Sequence, residues 1–134
     1  MQVSEVMSKG IVSVTSLDSV RKVAKLMKEK DVGAIPIIEK GQPVGFVTDR
    51  DIVINCVASG YNLDGPVSHA MTENVISVTE DQDVTEVSRL MQQNQVSRIV
   101  VTDKEHHPVG MVGLQDLTLE DEDIAAETIS KIKQ

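Results

Sequence analysis

The stretch Val3-Ser-Glu-Val-Met7 returns as Val67-Ser-His-Ala-Met71, and Ser13-Val-Thr15 returns as Ser77-Val-Thr79, both at an offset of 64 residues. Set side by side, residues 3–38 and 67–102 share 12 identities in 36 pairs. One residue added in the following turn moves the offset to 65. There Pro43-Val-Gly-Phe-Val47 matches Pro108-Val-Gly-Met-Val112 and Asp51 matches Asp116. The ten pairs from 43–52 and 108–117 add five identities. A constant offset broken by a single turn insertion marks an internal duplication.

Each copy reads the same way outward from these anchors. Residues 11–15 and 75–79 are β-branched runs that favour extended backbone. From Ser19 to Glu29, Val20, Val23, Ala24 and Met27 recur at helical spacing behind Asp18, which is placed to cap the start. Val84, Val87, Ser88 and Met91 do so behind Asp83. Ile35 to Ile38 with Val44 to Val47, and Ile99 to Thr102 with Val109 to Val112, read as hairpin strands. A second helix follows each pair, the first from about Arg50 to Ala58 and stopped by Gly60. The repeating unit is β-α-β-β-α, giving repeat 1 over residues 1–61, a linker over 62–66, repeat 2 over 67–118 and a tail over 119–134. A half of about 60 residues buries too little surface to be stable alone, so the two are expected to share a core. In the tail, Ile124, Thr128 and Ile132 recur every fourth residue behind the acidic run Glu120 to Asp123, which suits a helix start. This predicts an amphipathic helix whose stripe either covers the core or meets another subunit.

The 134 residues are 40% hydrophobic, with 13 basic against 21 acidic side chains and a formal charge of −8. Such a chain folds, and its field opposes nucleic acid and anionic membranes. No basic-then-apolar leader opens it, and no apolar run approaches the roughly 20 residues that span a bilayer. The expectation is a soluble, cytoplasmic protein. The single Cys56 fits a reducing compartment and reads as a buried structural thiol.

No catalytic toolkit is evident, so the chain does not read as an enzyme. Ser68 beside His69 lacks a third group to orient a base, and His106-His107 in a turn lacks metal-ligand spacing. The informative segment is Gly45-Phe-Val-Thr-Asp-Arg-Asp-Ile52. A strand ending at Thr48 and passing directly into a helix offers a hydroxyl, free N–H groups and a positive dipole end to an anion such as phosphate. Three residues on, Asp51 lies on the same side and suits the two hydroxyls of a ribose. The same Thr-x-x-Asp spacing also fits a helix capping box with no ligand at all.

The duplicated unit, the Val-x-x-x-Met openings, Gly33-Ala-Ile-Pro-Ile37 and Gly-hydrophobic-Val-Thr-Asp-Arg-Asp together resemble a tandem pair of CBS domains, a Bateman module, of the small stand-alone bacterial or archaeal type. The resemblance covers residues 1 to about 118. It implies an α/β fold of the α+β kind: two β-α-β-β-α repeats packed through their sheets about a pseudo-twofold axis, plus the C-terminal helix. It also implies two clefts that take adenine nucleosides or nucleotides as regulatory ligands, with no required cofactor and no metal. In the first cleft, Thr48 would meet a phosphate or ribose oxygen and Asp51 the ribose hydroxyls. Ile11, Val12, Ala34, Ile35 and Pro36 would hold the base, and Arg50 would offset the charge of Asp49. In the second, Val75, Ile76, Ile99 and Val100 line the matching surface, Asp116 keeps the ribose position and Arg98 is a phosphate candidate.

The second copy departs from the motif where Gly113-Leu114-Gln115 replaces Thr48-Asp49-Arg50. A charge-assisted hydrogen bond is worth roughly 1.5–3 kcal/mol, so the second cleft is expected to bind about tenfold or more weakly. The partners implied are a small adenosyl ligand and a second copy in a disc-shaped homodimer, with no nucleic acid and no membrane. The competing reading is a ligand-free interaction scaffold.

Overall fold

The computed structural model describes residues 1–73, 75–120 and 122–132. Contacts divide the chain into two compact units, residues 12–75 and residues 1–11 together with 76–134. The units do not coincide with the sequence repeats. The opening of repeat 1 packs with the body of repeat 2, and the opening of repeat 2 packs with the body of repeat 1.

Within residues 1–11 and 76–134, β1 (Ser8–Lys9) pairs antiparallel with a later strand, so its own repeat does not use it. In residues 12–75, helix α1 (Val20–Lys30) is built on a stripe of Val20, Val23 and Met27, all buried. Burying each such side chain stabilises by roughly 1.5–3 kcal/mol, which outweighs the few tenths that β-branched valines cost a helix. Two details of the expectation change. Ser19, and not Asp18, caps α1 by accepting from the Lys22 N–H; Asp18 accepts from the Thr15 N–H one turn earlier. Ala24 is exposed, because it lies one residue past the core stripe.

Strands β2 (Ala34–Glu39) and β3 (Gln42–Thr48) form the predicted hairpin, with Ala34 opposite Thr48. The expected strand over 11–15 contracts to one parallel bridge, Val14 to Ile37, held by Val14 N–H to Pro36 O and Ile38 N–H to Val14 O. On the other edge Thr72 exchanges two hydrogen bonds with Phe46, at 2.8 and 2.9 Å. Helix α2 (Asp49–Ile52) continues into a π turn over Val53–Val57, and Gly60 at φ 69° ends it in the left-handed region. The 62–66 segment does more than link. Gly65 O and Leu63 O accept from the Val20 and Arg21 N–H groups and so finish the start of α1.

The other unit repeats this plan more fully. Strands β4 (Ser77–Thr79), β5 (Arg98–Thr102) and β6 (Pro108–Gly113) join β1 in the order β1-β6-β5-β4, with β4 and β5 parallel. Ser8 faces Met111 as Thr72 faces Phe46. Helix α3 (Val84–Asn94) is capped by Asp83 as expected. Gly110 and Gly45 admit the swapped openings: a Cβ would lie 2.6 Å from Ser8 O at the first and 2.9 Å from Thr72 O at the second. After β6 come α4 (Leu114–Glu120), the second helix of the repeat, and α5 (Glu122–Lys131) in the tail. Ala125 and Thr128 are buried, and Ile124 and Ile132 pack on the core of their own unit, so the stripe covers that core. Of the acidic run expected at a helix start, Glu120 ends α4, Glu122 opens α5 and Asp123 is exposed in its first turn, while residue 121 lies outside the described residues. Among the described residues no helix is long and apolar enough to cross a membrane.

Candidate functional site

The turn from β3 into α2 is a closed capping box. Thr48 Oγ accepts from the Asp51 N–H at 3.1 Å, and Asp51 Oδ2 accepts from the Thr48 N–H at 2.9 Å. The Asp49 N–H donates to Gly33 O at 2.9 Å and the Arg50 N–H to Asp49 Oδ1 at 2.8 Å. The free N–H groups expected at this helix start are therefore already engaged. Donors to an anion here must come from side chains.

Two side-chain functions remain. A hydroxyl that accepts still has a proton to donate, so Thr48 Oγ can donate to a ligand oxygen without opening the box. Asp51 Oδ1 has no partner among the described residues, leaving half of the carboxylate to accept hydroxyls. Both residues are half-buried, which strengthens such bonds relative to open water. Arg50 is exposed and makes no ion pair among the described residues. Asp49 is held beside Gly33, where a Cβ would lie 3.1 Å from its Oδ2. A side chain at 33 would push this carboxylate aside.

The register brings Ala34 and Pro36, both buried, alongside this turn. Ile35 is buried and Val12 half-buried in the same unit, whereas Ile11 belongs to the other unit. Val75 likewise belongs with residues 12–75, and Ile76 with the second copy. Tyr61, one of the two aromatics, is stacked flat on His69 with ring centroids 3.6 Å apart, so it is already engaged. Nothing in the sequence pattern signalled that pair. Cys56 is fully buried, and burial pushes its thiol up from the ordinary value.

In the second copy Asp116 Oδ2 accepts from the Gly113 N–H at 2.8 Å, keeping one arm of the box. The other arm is lost with the hydroxyl, and its place is filled. A Cβ at Gly113 would lie 2.7 Å from the Gln115 Nε2, so the Gln115 amide occupies the space of the missing threonine. Ile99 and Val100 are buried and Ile76 half-buried. Arg98 is exposed, opposite Gly113 in the register.

The model of the CBS domain matches this sequence twice, over residues 3–57 and 67–123. The chain belongs to the CBS domain family. Its match to the CBS domain-containing protein YhcV of Bacillus subtilis is 34% identical over 117 residues, covering 87% of this chain and 83% of that protein. A CBS domain protein of Pyrobaculum aerophilum, solved in complex with AMP, superposes with a TM-score of 0.84 at 26% identity, covering 97% of this chain and 99% of the other. The CBS domain pair of protein MJ0100, solved with 5′-methylthioadenosine and S-adenosylmethionine, gives 0.79 at 28% identity, covering 89% and 94%. The α+β architecture and the paired CBS organisation follow from these matches.

Proposed function

We propose that this CBS pair is a regulatory module that binds an adenosyl ligand at the Thr48–Asp51 turn and passes the bound state to a partner protein or a second subunit. The observation that carries this reading is the half-used capping box. Thr48 keeps a hydroxyl proton to give and Asp51 keeps Oδ1 to accept, so ribose hydroxyls and a phosphate or ribose oxygen fit without dismantling the helix start. Ala34, Pro36 and Val12 supply the apolar surface for a base, with the Ile35 side chain turned into the core, and Arg50 supplies the cation for a phosphate. AMP and S-adenosylmethionine in related CBS structures support the ligand class. The ligand acts through its different affinity for two states of the module.

A second reading rests on the same box. Because the two side chains already satisfy each other's N–H groups, the turn is stable as a pure helix cap in an interaction scaffold. A thermal-shift panel of AMP, ADP, ATP, adenosine, 5′-methylthioadenosine, S-adenosylmethionine and NAD separates the two. A ligand at about 100 times its Kd stabilises by about 2.7 kcal/mol, a shift of a few degrees for a chain of this size. A shift that disappears in Thr48→Val, Asp51→Ala supports the regulatory reading. No shift with any compound leaves the scaffold.

A further inference from the structure

We propose that the exposed face of α1 is a docking site for an acidic amphipathic helix of another protein. The chain contains its own precedent. In the second copy, α5 lies across α3, where Ser88 Oγ and Thr128 Oγ share a hydrogen bond at 2.6 Å and Gln92 Nε2 donates to Ser88 Oγ at 2.9 Å. Thr128 is fully buried there and Ser88 nearly so. At the repeat offset, Thr85, Ser88, Arg89 and Gln92 correspond to Arg21, Ala24, Lys25 and Lys28 of α1. All four of these are exposed. The same helix face is covered by a helix in one copy and open in the other, with a small residue at its centre in both.

The chemistry of the open face selects its occupant. Helix α1 carries Arg21, Lys22, Lys25, Lys28 and Lys30 against the single acid Glu29, in a chain of net charge −8. Arg21 is paired with Asp64 and Lys22 with Asp18, whereas Lys25 and Lys28 have no ion pair among the described residues. A groove lined by Ser19, Arg21, Lys22, Lys25, Leu26 and Glu29 runs along the flank of this face, sharing Arg21 and Lys25 with it. A twofold contact of the face with a second copy of itself sets cation against cation. The chain's own α5 is committed to α3 through buried Thr128. What fits is a helix with Ala, Ser or Thr against Ala24 and Glu or Asp on its flanks, the pattern that α5 itself shows in Ala125, Thr128 and Glu127.

The test uses the intact chain and, as probe, a fluorescent synthetic peptide with the sequence of residues 119–134. Binding read by anisotropy is expected to weaken at least tenfold in Lys25→Glu, Lys28→Glu and at least tenfold when salt rises from about 20 to about 300 mM, since exposed charges are screened beyond a few ångströms at the higher value. Ala24→Trp, which blocks the centre without changing charge, is expected to weaken it as much. Arg89→Glu on α3 leaves it unchanged. Unaltered melting temperatures certify the folds. Equal binding to the wild-type chain and the Lys25, Lys28 variant overturns the proposal, as does no binding at millimolar peptide. A wild-type chain that self-associates through this face, lost in the charge-reversed variant by sedimentation, overturns it in favour of a second copy.

Discussion

The two strand-to-helix turns of this CBS pair began as copies and now differ by one exchange of side-chain roles. At Thr48 a hydroxyl closes the capping box and still has a proton to donate. At Gly113 the hydroxyl is gone, and the Gln115 amide has moved into its space. Asp51 and Asp116 keep the same bond to the N–H of the residue before the helix, at 2.9 and 2.8 Å. On the proposed reading, a carboxylate held in the same way at both turns works with a hydroxyl on the ligand at one and only caps the helix at the other. Loss of one hydroxyl and one guanidinium is enough to separate the roles, because each charge-assisted contact is worth roughly 1.5–3 kcal/mol.

The strongest way to break this contrast is to remove each carboxylate. Asp51→Ala is expected to lower AMP affinity about a hundredfold by calorimetry and Asp116→Ala by less than about threefold, following the energy of the contacts each retains. Equal losses would mean that both turns bind. Next in size is the pair of glycines that admit the swapped openings. Gly110→Ala and Gly45→Ala each drive a Cβ against backbone oxygen, and an overpacked contact of this kind costs about 1–3 kcal/mol. Denaturant unfolding should find Gly110→Ala the worse, because its clash is the closer, 2.6 against 2.9 Å.

A smaller effect comes from exchanging the caps. Thr48→Ala removes one arm of the box and is expected to cost about 1 kcal/mol. Gly113→Thr, combined with Gln115→Ala to clear the space, is expected to gain stability by a similar order and is read in the same unfolding assay. The last contrast is between α1, capped by Ser19, and α3, capped by Asp83. The Thr85 hydroxyl, the Thr85 N–H and the N-terminal ammonium together hold the Asp83 carboxyl down at about 2. An unfolded aspartate titrates near 4, so this cap contributes fully above about pH 5 and is lost as pH falls towards 2. Asp83→Ser, which copies α1, should flatten the acid side of a melting-temperature profile by lowering the plateau above about pH 5, with little change near pH 2.

Most of the architecture was legible because duplication and hydrophobic period are local signals. Val20, Val23 and Met27 announce a helix stripe, and Pro43-Val-Gly-Phe-Val47 announces a strand. What stayed hidden depends on partners far away in sequence. Ser8-Lys9 carries no strand propensity, and becomes β1 only because β6 offers an open edge at Met111 and Gly110. Ile11 to Thr15 has that propensity but finds a partner only at Val14. Asp18 and Ser19 are equally good caps on paper, and the choice fell to the geometry of the Thr15 turn. At the site, Thr48 and Asp51 were visible as a pair, but the engagement of every early N–H group, and the Gln115 amide standing in for a threonine, are facts of side-chain placement that no spacing encodes.

The exchange of openings between the two copies also sets an order of events. The Ser8–Met111 pairing joins residues about a hundred positions apart, so it waits until β6 has left the ribosome. Residues 12–75, by contrast, have every strand partner within their own span. During synthesis residues 12–75, which include the opening of the second copy, can therefore gather their strand partners before the body of that copy is made, and the first residues translated are among the last to find their place.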